Sequence, residues 1–334
     1  MKIRFGIIGT NFVTDWVIEA MRENSKVSVE AVYSRTKEQA EAFAAKHSIP
    51  HRFVSLEEMA SCNLIDAVYI ASPNSCHAPQ SLLFMNHGKH VLCEKPLASN
   101  SREVKEMIAA ARSNGVVLME ALKTTLTPNF RAVLDNLERV GKLRHYFSTY
   151  CQYSSRYDKF KEGIIQNAFK TELSNGAAMD LGIYTIYPMV VMFGRPQTIK
   201  AAGFKLHTGV DGSGSVVFSY KEMEATVIYS KISDSTLPTE IRGEDGSIIL
   251  DRINTISKVR FFSRFEKSEE NITYGRDHHE YFYQVEEFVS LINRNEMESK
   301  INSLDNSLAV IEIIEEIRKQ VGVIYPADII FSSQ

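Results

Sequence analysis

The chain has 334 residues, 44% of them hydrophobic and 24% charged, with a formal net charge of −3. At roughly 100–200 residues per domain, this length favours two domains with full cores, and 17 Gly with 9 Pro is too little for a disordered or fibrous chain. The near balance of 38 basic and 41 acidic side chains gives no global attraction to phosphate, which argues against nucleic acid as a partner.

Lys2 and Arg4 before an apolar stretch faintly imitate a signal peptide, but Asp15 follows soon and no small-residue cleavage site is present. The stretch reads as a first strand, Lys2–Ile8, with further strands at Val27–Tyr33, Ile65–Ala71, His90–Cys93 and Val116–Glu120. Between them, Thr36–His47 opens with a Thr36-x-x-Gln39 capping pattern, and Ser75–His87 and Ser101–Asn114 end at Gly88 and Gly115. Such alternation predicts βαβ units and a doubly wound parallel sheet over residues 1–122.

From residue 123 to 334 the rhythm changes to an α+β domain with a mostly antiparallel sheet. A helix at Pro128–Val140 precedes a strand at Leu143–Tyr153 and an apolar helical stretch at about Gly176–Phe193. Strands follow at Thr198–Leu206, Ser215–Tyr220, Glu224–Ile232, Thr239–Gly243, Ser247–Asp251 and Lys258–Phe262, with Gly212-Ser-Gly and Glu244-Asp-Gly246 as turn signals. Helices at His279–Arg294 and Ser303–Val321 close the chain, the second with Leu304, Leu308, Ile311, Ile314 and Ile317 at core-facing spacing. Strongly apolar stretches such as Ala67–Ala71 and Met189–Phe193 fall far short of a membrane helix of about 20 residues, so no membrane partner is expected. Cys62, Cys76, Cys93 and Cys151 form no C-x-x-C pair, and reduced thiols in a cytoplasmic protein are the plain reading.

Gly9-Thr10-Asn11-Phe12-Val13-Thr14 sits where the first strand turns into the first helix. A dinucleotide fold wants G-x-G-x-x-G there, so only the first glycine is present, with Asn11 and Thr14 at the other two positions. Asn tolerates positive φ, which keeps the turn possible, and the helix amides still face the phosphates. At the end of the second strand, where an acid usually binds the adenosine ribose, stand Ser34-Arg35-Thr36-Lys37. A 2′-phosphate suits these cations, so NADP(H) is favoured over NAD(H).

Ala71-Ser72-Pro73-Asn74-Ser75-Cys76-His77, then Cys93-Glu94-Lys95-Pro96, then Gly176-Ala-Ala-Met-Asp180-Leu-Gly182-Ile-Tyr184 follow in order. Together they resemble the Gfo/Idh/MocA family of oxidoreductases over essentially the whole chain. The resemblance implies that Lys95 and Tyr184 face the reacting carbon with Asp180 beside them. It also implies that Ser72, Pro73, Asn74 and His77 line the cofactor, that Glu94 contacts the nicotinamide ribose side, and that Lys95–Pro96 is cis. The residues make chemical sense on their own terms. Asn74 and Lys95 fall just past strand ends, where such sheets bind ligands, and Asp180 and Tyr184 share a helix face at i and i+4. A carboxylate among so many apolar neighbours needs a partner, and Lys95 is the natural one.

Lys123, after the last strand of the first domain, reads equally as a substrate or cofactor contact and as a solvated hinge cation. Tyr153, Tyr157 and Asn167 are candidates to shape the substrate pocket, while His278-His279-Glu280 reads as a helix start and no metal site is expected. The reading is an NAD(P)-dependent dehydrogenase or reductase acting on CH–OH groups of a sugar, polyol or related vicinal hydroxyl compound. The alternative is a non-catalytic NADP-binding sensor on the same fold, since fold does not fix function. A broad sheet with one open face suggests a homodimer or higher homo-oligomer.

Overall fold

Buried strands alternating with amphipathic helices open the chain in the computed structural model, which describes residues 2–329. Two compact units divide it: Met1–Lys123 with His278–Leu308, and Thr124–Asp277 with Ala309–Gln334.

The first unit is built on β1 (Ile3–Ile8), β2 (Val27–Tyr33), β3 (His51–Phe53), β4 (Ala67–Ile70), β5 (His90–Glu94) and β6 (Leu118–Ala121). They form one parallel sheet in the order β3-β2-β1-β4-β5-β6. This is the doubly wound dinucleotide order, with its switch point between β1 and β4. The intervening helices are α1 (Phe12–Glu23), α2 (Lys37–Lys46), α3 (Leu56–Ser61), α4 (His77–Asn86) and α5 (Ser101–Asn114). The Thr36 start anticipated in the sequence works as a cap, its hydroxyl accepting from the Gln39 amide, and Gly115 ends α5 in the left-handed region at φ 62°; α4 starts at His77 rather than Ser75, without a side-chain cap, and Asn100 caps α5. β3 and α3 are too short to leave a period in the sequence and were not anticipated.

In the second unit α6 (Pro128–Asn136) leads into β7 (Leu143–Cys151), followed by α7 (Tyr157–Lys161) and α8 (Ile183–Phe193). Then come β8 (Thr198–Lys205), β9 (Asp211–Ser219), β10 (Glu224–Ser230), β11 (Thr239–Gly243), β12 (Gly246–Leu250), β13 (Val259–Ser263) and β14 (Ser268–Asn271). The sheet order is β14-β13-β12-β11-β7-β10-β9-β8. All neighbours are antiparallel except β7 and β10, which pair in parallel because helical chain crosses over between them. Gly212 and Gly214 lie inside β9 rather than in a turn. A Cβ on Gly214 would come within 2.3 Å of the Tyr229 hydroxyl, and one on Gly182 within 3.0 Å of the same ring, so both glycines make room for Tyr229. The helical run Thr171–Phe193 is long and apolar enough to cross a bilayer by composition alone, yet 72% of its most apolar 18-residue window is buried inside the protein, as in a core helix.

Two long helices follow, α9 (Glu280–Arg294) and α10 (Leu304–Val321). The sequence division assigns everything after residue 122 to the second domain, but α9 packs in the first unit. Phe288 meets Phe5 at 5.8 Å, Tyr281 stacks on Trp16 at 6.0 Å, and the Asn24 amide donates to Glu286 at 2.6 Å. The amphipathic face of α9 is thus buried against β1 and α1. The boundary between the units then falls inside α10, between Leu308 and Ala309.

Candidate active site

In the first unit the strand ends that carry the predicted ligands share one edge of the sheet. Gly9, after β1, has φ +104°, and a Cβ there would lie 2.5 Å from the carbonyl oxygen of Ala71, just past β4. Only glycine fits where the two strands part. Asn11 does not use the positive φ that its residue type allows. It sits extended at φ −91° as the N-cap of α1, accepting from the Val13 and Thr14 amides, while its own amide donates to the Ala71 carbonyl at 2.9 Å. The side chain thereby braces the turn that the missing second glycine would otherwise form. Thr10, Asn11 and Phe12 are exposed at this helix start. Phe12 packs edge-on against Trp16 at 5.2 Å.

At the end of β2, Ser34 is buried and donates to Gln39 at 3.1 Å, whereas Arg35 is exposed at the start of α2. Arg35 has no acidic partner among the described residues, while Lys37 has Glu41 one helical turn on at 3.9 Å.

After β4, Ser72 donates to Gln80 at 2.7 Å, and Pro73 and Asn74 enter the short turn before α4. His77 is 1% exposed, and both ring nitrogens are taken by backbone carbonyls: Nδ1 lies 2.8 Å from Pro96 O and Nε2 2.9 Å from Ser72 O. His77 thereby ties the Ser72 loop to the segment after β5. Burial pushes its pKa down, while the two carbonyls pull the other way.

That segment carries Lys95, half-buried, whose peptide to Pro96 is cis. Beside it, Glu94 accepts from the Tyr69 hydroxyl at 2.7 Å. Burial pushes the Glu94 carboxyl up, while Tyr69 and the charges of Lys95 and Lys123 draw it down. One strand further on, Glu120 is 2% exposed and accepts from the Leu97 amide at 2.9 Å; burial pushes its carboxyl up to about 7. Lys123 is not a solvated hinge cation. It is buried, ion-paired with Glu280 and placed 4.6 Å from the Tyr281 ring centre. The helix-start reading of His278-His279-Glu280 holds, with His279 as the N-cap of α9 and His278 paired with Glu23 at 2.9 Å.

In the second unit the Gly176–Tyr184 motif forms a π turn, Ala178–Gly182, running into α8. The Ile183 amide reaches back to the Ala178 carbonyl, an i→i+5 bond, so Asp180 and Tyr184 are not separated by one ordinary α-helical turn. Asp211 starts this turn: buried, it accepts from the Ala177 and Ala178 amides at 3.0 and 2.7 Å. Pro188 offers no N–H to the Tyr184 carbonyl, and the Tyr146 hydroxyl donates to the next carbonyl, Thr185, at 2.9 Å. The motif therefore lies on a helix start held by side chains from β7 and β9. π turns of this kind are frequent at functional sites.

Asp180 has an ion-pair partner inside this unit that sequence reasoning did not name, Lys231, with Nζ 2.9 Å from Oδ2. The available signal was a lone charge ending the apolar run of β10. Tyr184 meets Tyr150 edge-on at 5.5 Å, and Tyr150 is itself hydrogen-bonded to Gln152 at 3.0 Å and Asn254 at 3.2 Å. Tyr157 packs with Tyr153, Phe160 and Phe169 at 5.5–5.8 Å. Asn167 is exposed, and its carbonyl accepts from Asn175 at 3.0 Å.

Comparison with known proteins bears on these features. Residues 3–122 match the model of the oxidoreductase family with an NAD-binding Rossmann fold, and residues 131–249 match the GFO/IDH/MocA C-terminal domain. The chain belongs to the Gfo/Idh/MocA family of oxidoreductases. It is 52% identical to scyllo-inositol 2-dehydrogenase (NADP(+)) IolU of Bacillus subtilis (strain 168), over 98% of this chain and 99% of that one. It is 30% identical to trans-1,2-dihydrobenzene-1,2-diol dehydrogenase of Mus musculus, over 98% and 99%. Among solved structures, the 3-ketoreductase KijD10 of Actinomadura kijaniata, in complex with NADP and TDP-benzene, superposes with a TM-score of 0.84 at 22% identity, covering 97% of this chain and 99% of that one. At that identity the structural likeness speaks for the fold.

Proposed function

We propose that this protein is an NADP(H)-dependent oxidoreductase that interconverts a secondary alcohol and its carbonyl on a polyol, sugar or related vicinal hydroxyl compound. The observation that carries the reading is the 52% identity, across nearly the whole length, to a relative named as an NADP(+)-dependent scyllo-inositol dehydrogenase. When bound, the nicotinamide supplies the hydride acceptor and donor.

The chain's own residues fit that group. The glycine-only crossing at Gly9 leaves backbone exposed to a pyrophosphate, and the Phe12 amide has no acceptor among the described residues. Thr10, Asn11, Phe12, Ser72, Pro73 and Asn74 are assigned to hold the cofactor, with Glu94 on the nicotinamide ribose side. His77 is assigned to bracing the Ser72 loop rather than to contact. Arg35, exposed and with no acidic partner among the described residues, is assigned to the 2′-phosphate. Tyr184 or Lys95 is assigned to move the proton on the substrate oxygen, and Asp180 to orienting that group. Tyr157 and Asn167 are assigned to the rim of the substrate pocket; Lys123, held by Glu280, supports the first unit instead. This set favours an enzyme over a sensor, which needs no proton-transferring group. The free cysteines suit a cytoplasmic setting, and exposed Phe204 (59%) and Val217 (44%) on β8 and β9 suit a homodimer, a point for light scattering to decide.

Two measurements test the reading. NADPH formation is followed on a panel of inositols, aldoses and trans-dihydrobenzenediol; turnover of scyllo-inositol is the expected result, and silence across the panel overturns the proposal. In fluorescence titration, NADPH should bind at least tenfold more tightly than NADH, as charge-assisted hydrogen bonds worth about 1.5–3 kcal/mol require. Arg35→Ala should erase most of that gap and leave NADH binding nearly unchanged. Equal affinities in the unsubstituted protein would remove Arg35 from the cofactor site.

A further inference from the structure

The ion pair between Asp180 and Lys231 is lopsided. The Lys231 side chain is 3% exposed, while that of Asp180 is 37% exposed. Lys231 follows β10, and its ammonium has three partners within the second unit: Asp180 Oδ2 at 2.9 Å, the Ala168 carbonyl at 3.3 Å and the Phe169 ring centre at 5.4 Å. A carboxylate, a carbonyl and an aromatic face satisfy an ammonium that water does not reach. Asp211, a second acid in electrostatic reach, has its two oxygens bound to the Ala177 and Ala178 amides. Asp180 is therefore the acid that Lys231 pairs with directly. A cation sealed behind a half-open carboxylate is badly placed to touch a substrate. It is well placed to hold the carboxylate.

We propose that Lys231 is a positioning residue that fixes the rotamer and charge of Asp180 and links it to the Asn167–Phe169 turn. The inference rests on the role assigned to Asp180 under Proposed function. Two consequences follow from the geometry. Asp180 keeps a full counter-charge within its own unit. Through the Ala168 carbonyl, the same ammonium also ties Asp180 to the turn that begins at Asn167.

The test is a double-mutant cycle on the full chain with Lys231→Met, Asp180→Asn and the pair together, plus Lys231→Arg as the conservative variant. Four quantities are read: kcat and KM for scyllo-inositol at saturating NADP+, the NADP+ dissociation constant by fluorescence, and Tm. Each single variant should lower kcat at least tenfold and leave NADP+ dissociation within twofold. The double variant should be no slower than Asp180→Asn, and Lys231→Arg should recover part of the loss. In Tm, Asp180→Asn should rescue Lys231→Met, because the carboxylate left unpaired is gone. Losses of kcat that multiply in the double variant, or a Lys231→Met enzyme with normal kcat and only a lower Tm, overturn the proposal. If the unsubstituted protein turns over nothing in the panel, the assigned function fails on its own, and the Tm cycle decides this inference. Rescue then sustains the pair, and additive losses end it.

Discussion

Tyr184 stands edge-on to Tyr150, whose hydroxyl is held by Gln152 and Asn254, so the ring has a fixed wall on one side. Removing only its hydroxyl leaves that packing in place. Tyr184→Phe should therefore lower kcat for alcohol oxidation by about 10²–10⁴-fold, the usual worth of a positioned acid or base, with little change in cofactor affinity. A variant whose KM rises while kcat holds would show that Tyr184 only shapes the pocket. Lys95, Asp180 and Tyr184 stand out as candidates in the sequence because each belongs to a compact run of residue types at fixed spacing. Lys231 does not, because it lies outside those runs and reaches Asp180 only through the pairing of β10 in the sheet. His77 illustrates the opposite case. It belongs to a motif as Lys95, Asp180 and Tyr184 do, yet two backbone carbonyls occupy its ring nitrogens, which the motif does not record.

Among the elements, the π turn at Ala178–Gly182 depends on a single acid from the next layer. Asp211 satisfies two amides that the start of the helix leaves without intrahelical partners. Burial pushes its carboxyl up, and those amides together with Lys231 draw it down. Asp211→Ala should cost about 1–3 kcal/mol in urea denaturation, the range for buried groups left without a partner. It should also depress kcat, because the turn carries Asp180. Unchanged kcat in a destabilised variant would detach the turn's anchoring from the chemistry. Most strands and long helices were legible from period and caps, with ends displaced by a residue or a few. Gly212-Ser-Gly misled because glycine marks a turn and a close approach equally well in sequence, and here Tyr229 supplied the approach. Parallel pairing of β7 with β10 was hidden for a related reason, since local text does not record which strand a crossover returns to.

On the scale of the whole molecule, the pH dependence of stability should carry the signature of Glu120. Burial, with the charge of Glu94 acting in the same direction, raises its carboxyl to about 7, against an ordinary value of 4.5. A folded-state pKa above the unfolded one means that the contribution is full below about 4.5 and is lost as pH rises through about 7. At about 1.4 kcal/mol per unit, the loss is at most about 3 kcal/mol. Glu120→Gln keeps an oxygen for the Leu97 amide and removes the titration. Its stability relative to the unsubstituted protein should therefore improve between about pH 4 and pH 8 by up to that amount. Equal differences at both ends in urea denaturation would place the loss elsewhere. The division into a doubly wound half and an α+β half was readable from rhythm alone, but the return of α9 to the first unit was not. A helix's amphipathic face records that it is covered, not by what. That return gives the protein an unusual modularity. A fragment ending at Lys123 carries all six strands of the cofactor sheet yet leaves Phe5 and Trp16 without the helix they pack on. Exchange of cofactor halves between relatives by a single crossover would likewise part the sheet from α9. Recombination that keeps this unit intact needs two further junctions, one ahead of His278 and one within α10, so the cofactor half is inherited as an interrupted cassette.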